Sequence, residues 1–513
     1  MASLPPPLLL ALCLLPACAY APPSAAAAAL QAALDAAIAA RAPAFALPAG
    51  ADIFFNDASL NISGAASISI DGGNSTLYFA PGAGVMLESC TGVALRNLAI
   101  DYVPLPYVHG TVTAANASTT TVRLDDASLT FEALLQQYPP HDIWPPPSAF
   151  DGATGDYRGT VCRWGAPAPA REIAPREYAV ACGGAAARVG DVFVAATRVG
   201  VTLSLSRTAA VTVTDVTIHA AGYMAITEFL GGGGNVYERV RLVPRNASRP
   251  LASNADGFHS SGMRAGPTLR GVEIRNLLDD YFNVHNTFQL VVAVESPTRV
   301  LLGDFQLFPG GNTLYGTQRT LDAAAAGDAL SFFPINTFTY PAAATQRIAD
   351  VALVAGADAA AALARAYAAA AAAAAATPCS ACHRGLNAFA SAQLYNVTLT
   401  GPLPPLPSPA LVNLDALSNA GARIEGCAFS GSASNTGRFK SSGGVIAGSS
   451  WRLTQSQNLE IAPLQNWLEG MLGIHNISIR DNVFYGTRES PVKVFGATNV
   501  SQANNTFIPT GLM

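Results

Sequence analysis

A short pattern, apolar-x-x-apolar-x-apolar, returns along this chain and constrains its fold more than any other feature. It occurs at Leu95/Leu98/Ile100, Val213/Val216/Ile218, Tyr237/Val240/Leu242, Leu269/Val272/Ile274, Ile348/Val351/Leu353, Leu394/Val397/Leu399, Ile424/Cys427/Phe429 and Ile474/Ile477/Ile479. Its last two apolar positions alternate, which is the period of a strand with one buried face. Polar residues, often Asn, Asp or Gly, accompany each copy. Such a strand cannot bury its inner face alone. Stacking successive copies parallel to one another buries a continuous core and satisfies the backbone. The copies starting at Val213, Tyr237 and Leu269 lie 24 and 32 residues apart. The first gap suits one coil, and the second suits one coil plus a loop supplied by Pro244 to Pro250. The expected fold is all-β, a right-handed parallel β-helix. The repeated three-point pattern favours it over a sandwich of similar strands.

An open solenoid end exposes strand edges and needs a cap. Ala25 to Ala40 reads as an amphipathic helix suited to that role, so residues 22–108 are expected to hold the cap and first coils. The rung pattern then breaks twice, over residues 109–199 and 286–346. Each break is β-rich and is expected to be a small β-barrel-like insertion. Coils fill residues 200–285 between them and 347–513 after them. Residues 355–377 are nearly all Ala. Ala favours helix, but Ala is barely hydrophobic and Asp358 and Arg365 interrupt the tract, so it reads as a low-complexity surface insertion and not a membrane span.

Residues 1–21 contain no charged side chain, carry an apolar core from Leu8 to Leu15, and end in small-x-small sites at Ala17-Cys18-Ala19 and Ala19-Tyr20-Ala21. This reads as a signal peptide and predicts a secreted, extracellular protein with no membrane attachment after processing. Eight N-x-S/T sequons agree with that route, at Asn61, Asn74, Asn116, Asn246, Asn396, Asn476, Asn499 and Asn504. Charged residues make up 12% of the chain and the net charge is −5. A sparse, mildly acidic surface is a poor match for nucleic acid. Cys90, Cys162, Cys182, Cys379, Cys382 and Cys427 remain after processing, and Cys162–Cys182 is the favoured local disulfide. Cys379-Ser380-Ala381-Cys382-His383 has the spacing of a haem-attachment motif, but a surface disulfide or coincidence accounts for it better beside an Ala tract. Gly231 to Gly234 is read as a loop and not a phosphate cradle.

The segment richest in chemistry runs from Asn254 to Asn286 and contains Asp256, His259, Asp279, Asp280, Asn283 and His285. Asp256 precedes Asp279 and Asp280 by about one coil, so stacking at the strand spacing brings the three carboxylates and both imidazoles into one patch. Crowded carboxylates cannot all ionise easily, and one is expected to hold a proton at neutral pH. An acid beside a base is what glycosidic bond hydrolysis needs. A lone Asp in such a turn is more often structural. Asp279 and Asp280 would face opposite sides in a regular strand, so one is structural unless they sit at a bend. The two His could instead ligate a metal with the carboxylates, although the spacing fits no compact metal motif, and neither metal nor cofactor is expected. Glu228, Arg249, Arg438, Lys440 and Trp467 are further candidates to line a groove.

The stretch ADGFH, followed one coil later by LLDDYFNVHN, resembles glycoside hydrolase family 110, the exo-acting α-1,3-galactosidases. LRNLAIDYVPLPYVHGTV at Leu95 to Val112, GRFKSSGGVI at Gly437 to Ile446 and NWLEGMLGIHNISIRDNVF at Asn466 to Phe484 are also similar to that family. The chain differs at Asn286, where the family usually has Gly, and in its Ala-rich insertion. The resemblance implies a β-helix enzyme with barrel insertions that inverts the anomeric centre without a metal. It implies a catalytic cluster at Asp256, Asp279 and Asp280, with the acid and base roles unassigned. His259, His285, Asn283, Arg249 and Trp467 would bind the carbohydrate substrate. The alternatives are a non-catalytic glycan-binding or cell-wall β-helix protein, a polysaccharide lyase, and a polygalacturonase-like hydrolase. Polygalacturonases add a Gly-His-Gly and an Arg-x-Lys that this chain lacks.

Overall fold

The three-point pattern has a conformational origin. In a computed structural model, the residue before the central apolar position is left-handed in copy after copy: Asn97, Asp215, Arg239, Gly271, Gly426, Gly448 and Asp481 all have φ between 52° and 63°. Only Gly, or a short side chain that bonds locally, visits that region cheaply. Each such residue bends the strand and breaks the run of apolar positions, which explains the Asn, Asp and Gly in the repeat; Arg239 is the exception in side-chain type. The structure describes residues 23–125, 147–162, 170–181, 187–196, 198–304, 319–334, 345–354, 356–375, 392–403, 405–406, 409–433, 437–454, 458–463, 469–470, 473–486 and 490–509. The expected signal peptide, Trp467 and the Cys379–Cys382 motif fall outside these residues.

Stacked copies form two long parallel sheets. In the first, the leading position of the pattern runs as a column Leu95, Val213, Tyr237, Leu269, Ile424, Ile446 and Ile479, each hydrogen-bonded in register to the next strand. The last position runs Ile100, Ile218, Leu242, Ile274, Phe429, Trp451 and Phe484. All of these are buried in one core. Ile479 stands in the leading column, so the copy read at Ile474 is displaced by one strand piece, and the rung there is Ile479/Asn482/Phe484. Asn482 takes the central position and satisfies the backbone by donating to the Ile446 carbonyl at 2.9 Å.

The second sheet stacks Leu60–Ser63, Val85–Glu88, Leu203–Ser206, Ile226–Phe229, Phe258–Ser261, Phe282–Ser296, Gly437–Phe439, Leu459–Ile461 and Val492–Val494, all in parallel. These pairings define a parallel β-helix. The helix Ala25–Ala39 caps its first coil as expected. Ser24 caps its N-terminus, and Ala27, Leu30 and Leu34 enter the coil core. Gln31 spans to the Asn61 backbone, accepting from N–H at 2.8 Å and donating to C=O at 2.9 Å.

Both insertions are antiparallel. The first is a seven-stranded sheet from Tyr107–Ala115 to Val192–Ala196 with its own core. Cys162 lies in that core and is disulfide-bonded, while its expected partner Cys182 is outside the described residues. Cys90 and Cys427 are free and buried in the coils.

The second insertion is larger than the sequence indicates. The distal half of Phe282–Ser296 pairs in turn with Arg299–Asp304, Gln393–Leu399, Thr345–Val354, Ala329–Pro334 and Ala410–Leu414, and the last returns to the first. This is a closed six-stranded barrel. The patterns at Ile348 and Leu394 are therefore barrel strands and not coils. An antiparallel strand with one buried face has the same period of two, so the pattern alone could not separate them. The Ala tract forms the helix Ala357–Ala375 between two barrel strands. It docks through Leu363 against Leu301 and Leu394. No helix among the described residues is long and apolar enough to cross a membrane.

Of the eight sequon asparagines, seven are exposed, and Asn396 is half-buried in a barrel strand. The bends also yield a stability prediction. An added Cβ at Gly426 meets no atom within 4 Å, so only its φ of +63° resists substitution. Gly426→Ala is expected to cost about 1–2 kcal/mol in denaturant unfolding. A neutral result would mean that left-handed bends do not limit this coil.

Candidate active site

Strand alternation divides the second sheet into an inward and an outward set. Phe258 and Phe282 point into the coil core, so His259, Asn283 and His285 face outward. The outward face is covered in turn by the second insertion, whose core includes Phe229, Leu230 and Phe288. The site is thus enclosed between coil and barrel, which explains why His259, Asn283 and His285 are nearly fully buried.

The three aspartates converge. One carboxylate oxygen each from Asp256, Asp279 and Asp280 lies within 4.8 Å of the others. Asp256 and Asp280 occupy equivalent turns one coil apart, just before the paired residues Phe258 and Phe282. Asp279 and Asp280 sit at a bend between strands, so both reach the cluster although they are neighbours in sequence. Asp256 and Asp280 are almost entirely buried, and Asp279 keeps 21% of its side chain exposed.

Two cations neutralise the cluster. Arg438 Nε lies 2.6 Å from Asp280 Oδ2. Arg198 ion-pairs with Asp279 and lies over the Tyr223 ring. Burial, reinforced by Asp279 and Asp256, nevertheless pushes the Asp280 carboxyl well above the usual carboxylate range against the pull of Arg438 and Lys440. Burial also raises Asp279, opposed by Arg198 and assisted by Asp256. These three carboxylates are also the group among the described residues that could hold a cation. Arg198 and Arg438 already supply positive charge to two of them.

A hydrogen-bonded chain leads away from Asp256. Its Oδ2 is 2.7 Å from His259 Nδ1, His259 Nε2 is 2.8 Å from His285 Nε2, and His285 Nδ1 is 2.7 Å from the Asn286 carbonyl. A carbonyl only accepts, so His285 Nδ1 carries a proton. Burial holds the His285 pKa down to about 3, so its ring is neutral and Nε2 accepts. His259 Nε2 then donates to it, and His259 Nδ1 faces Asp256 Oδ2 at the head of the chain.

Lys440 is fully buried beneath the patch and donates to Asn283 Oδ1 at 2.7 Å and Glu469 Oε2 at 2.8 Å. Asn283 Nδ2 donates to the same Glu469 oxygen at 3.0 Å. Burial would raise the Glu469 pKa, but the adjoining Lys440 ammonium holds it below the usual range. Asn286 joins site to barrel: its Nδ2 donates to the Leu414 carbonyl at 2.7 Å and its Oδ1 accepts from Thr287 N at 2.8 Å.

Other expected positions lie elsewhere. Both terminal nitrogens of Arg249 bond Asp101, a fully buried carboxylate that Arg245 also pairs with. That burial demands cations, and it draws Arg249 away from the three aspartates. Glu228 does not line a groove. It points inward, in register with Leu205 and Ser260, and accepts from Ser260 Oγ, Asn235 Nδ2 and Tyr237 Oη at 2.6, 2.9 and 3.0 Å. Sequence reasoning did not single out Arg198, Glu460 or Glu469. Glu460 was within reach, because Leu459 and Ile461 flank it as inward residues. Arg198 has no such signal, because it comes from the end of the first insertion.

No protein-family model matches the chain, and no curated protein matches it. Among solved structures, the A-module of mannuronan C-5 epimerase AlgE4 from Azotobacter vinelandii aligns with a TM-score of 0.31 and 10% identity, over 94% of this chain and 91% of that one. The parallel β-helix assignment rests on the strand pairings of this chain.

Proposed function

We propose that this chain is a glycoside hydrolase acting from the chain end on terminal α-linked galactosides. The carrying observation is the convergence of Asp256, Asp279 and Asp280 in a buried patch that holds Asp279 and Asp280 above the usual carboxylate range. A protonated carboxyl gives its proton to the leaving glycosidic oxygen as the anomeric C–O bond breaks. A carboxylate takes a proton from the water whose oxygen forms the new bond. Glu469, whose side chain is partly exposed, and Asn283 beside it are the groups placed to meet sugar hydroxyls, while His259, His285 and Lys440 hold the patch from beneath. The galactoside specificity and the inverting course come from the family resemblance noted above.

One oxygen from each of the three carboxylates lies within 4.8 Å of those of the other two, and inverting enzymes commonly hold their two carboxyl groups roughly 6.5–9.5 Å apart to leave room for water. The released anomer is therefore the decisive measurement. NMR during hydrolysis of a terminal α-galactoside is expected to show the β-anomer first. Initial release of the α-anomer would replace inversion by a covalent route. No turnover of any α- or β-galactoside would remove the galactosidase reading and leave the glycan-binding alternative.

A further inference from the structure

The outward face of the second sheet carries one column of polar residues, His259, Asn283, Arg438, Glu460 and Lys493, paired residue by residue across five strands. Its lower half is a chain of alternating charge leading out of the site. Asp280 meets Arg438 at 2.6 Å, Arg438 meets Glu460 at 3.4 Å, and Glu460 meets Lys493 at 3.0 Å. Glu460 is as buried as Asp280, whereas Lys493 keeps 54% of its side chain exposed. Arg438 is therefore shared between two buried carboxylates, only one of which belongs to the aspartate cluster.

We propose that Glu460 and Lys493 form a positioning relay that sets, through Arg438, how strongly Asp280 is held in its charged form. This rests on the hydrolase reading above. The groups facing Asp280 are Arg438 and Lys440, against Asp256 and Asp279. Those facing Arg438 are Asp280, Glu460, Glu469 and Asp279. Glu460 draws part of the guanidinium's charge away from Asp280 and adds a negative charge of its own. Both effects favour the protonated Asp280. Lys493 opposes Glu460 and so favours the ionised form.

The two residues therefore act in opposite directions, which a packing role would not imitate. Glu460→Gln keeps the shape and removes the charge. It is expected to move the Asp280-governed limb of the kcat/KM pH profile down by about one unit. The direction is the same whether Asp280 acts as acid or base. Lys493→Gln, an exposed substitution, is expected to move that limb up by about 0.3 unit, because solvent screens the lysine. Glu460→Asp should bring the profile back toward that of the unaltered protein. Both limbs unmoved in Glu460→Gln and Lys493→Gln, with hydrolysis by the unaltered protein intact, would overturn the relay. Lowered kcat at an unmoved profile would do the same. Absence of hydrolysis by the unaltered protein would instead overturn the hydrolase reading.

Discussion

Replacing Asp256, Asp279 or Asp280 singly by Asn is expected to lower kcat/KM on a terminal α-galactoside by about 10²–10⁴-fold, the usual contribution of a positioned acid or base. The substitution is nearly isosteric. At Asp280 it also supplies a neutral group where burial already favours the protonated carboxyl, so the coil should survive. Unfolding of Asp280→Asn beside the unaltered protein checks this, and the pH dependence gives a sign. A carboxyl whose folded pKa lies above its unfolded value favours folding below the unfolded pKa. That contribution is lost as pH rises through the folded pKa. The unaltered protein should therefore lose stability relative to Asp280→Asn as pH rises through the Asp280 range. Asp256→Asn differs, because it also changes the group that His259 Nδ1 meets at 2.7 Å at the head of the His259–His285 chain. Unchanged hydrolysis by all three variants would sink the assignment of this patch.

The second large effect is expected in the late coils. Trp451 is fully buried between Phe429 and Phe484, with ring centroids 5.2 and 4.7 Å away. Trp451→Ala removes the largest plate of this stack and should destabilise the protein by about 3–5 kcal/mol. The loss is one of packing alone, because Trp451 Nε1 has no hydrogen-bond partner among the described residues. Trp451→Phe should accordingly recover most of the stability. Denaturant midpoints of the two variants test this directly. Equal loss in both would point to a polar role for the indole. Each coil contacts only its neighbours, so the effect should be strongest in the coils around Phe429 and Phe484.

Much of the coil was legible because its repeat is enforced locally. A left-handed bend at Asn97, Asp215 or Gly271 fixes where the next apolar residue must fall. The meaning of Ile348 and Leu394 was not legible, since parallel rungs and antiparallel barrel strands share a period of two. Of the site, the aspartates could be brought together by counting one coil between Asp256 and Asp280. Whether Asp279 joined them depended on a bend that the sequence does not mark. Glu228 was a candidate to line the groove, and strand alternation turns it into the core.

The sequence by itself determined the repeat, the stacking it compels, and one acidic patch across adjacent coils, because these follow from periodicity and from the need to bury an apolar face. Only the tertiary structure decided the closed barrel, the diversion of Arg249 to Asp101, and the neutralisation of Asp279 by Arg198 and of Asp280 by Arg438. Those contacts join residues from separate insertions and distant coils. Their pairing is set by which buried charges come to face one another after folding, and spacing along the chain does not encode that.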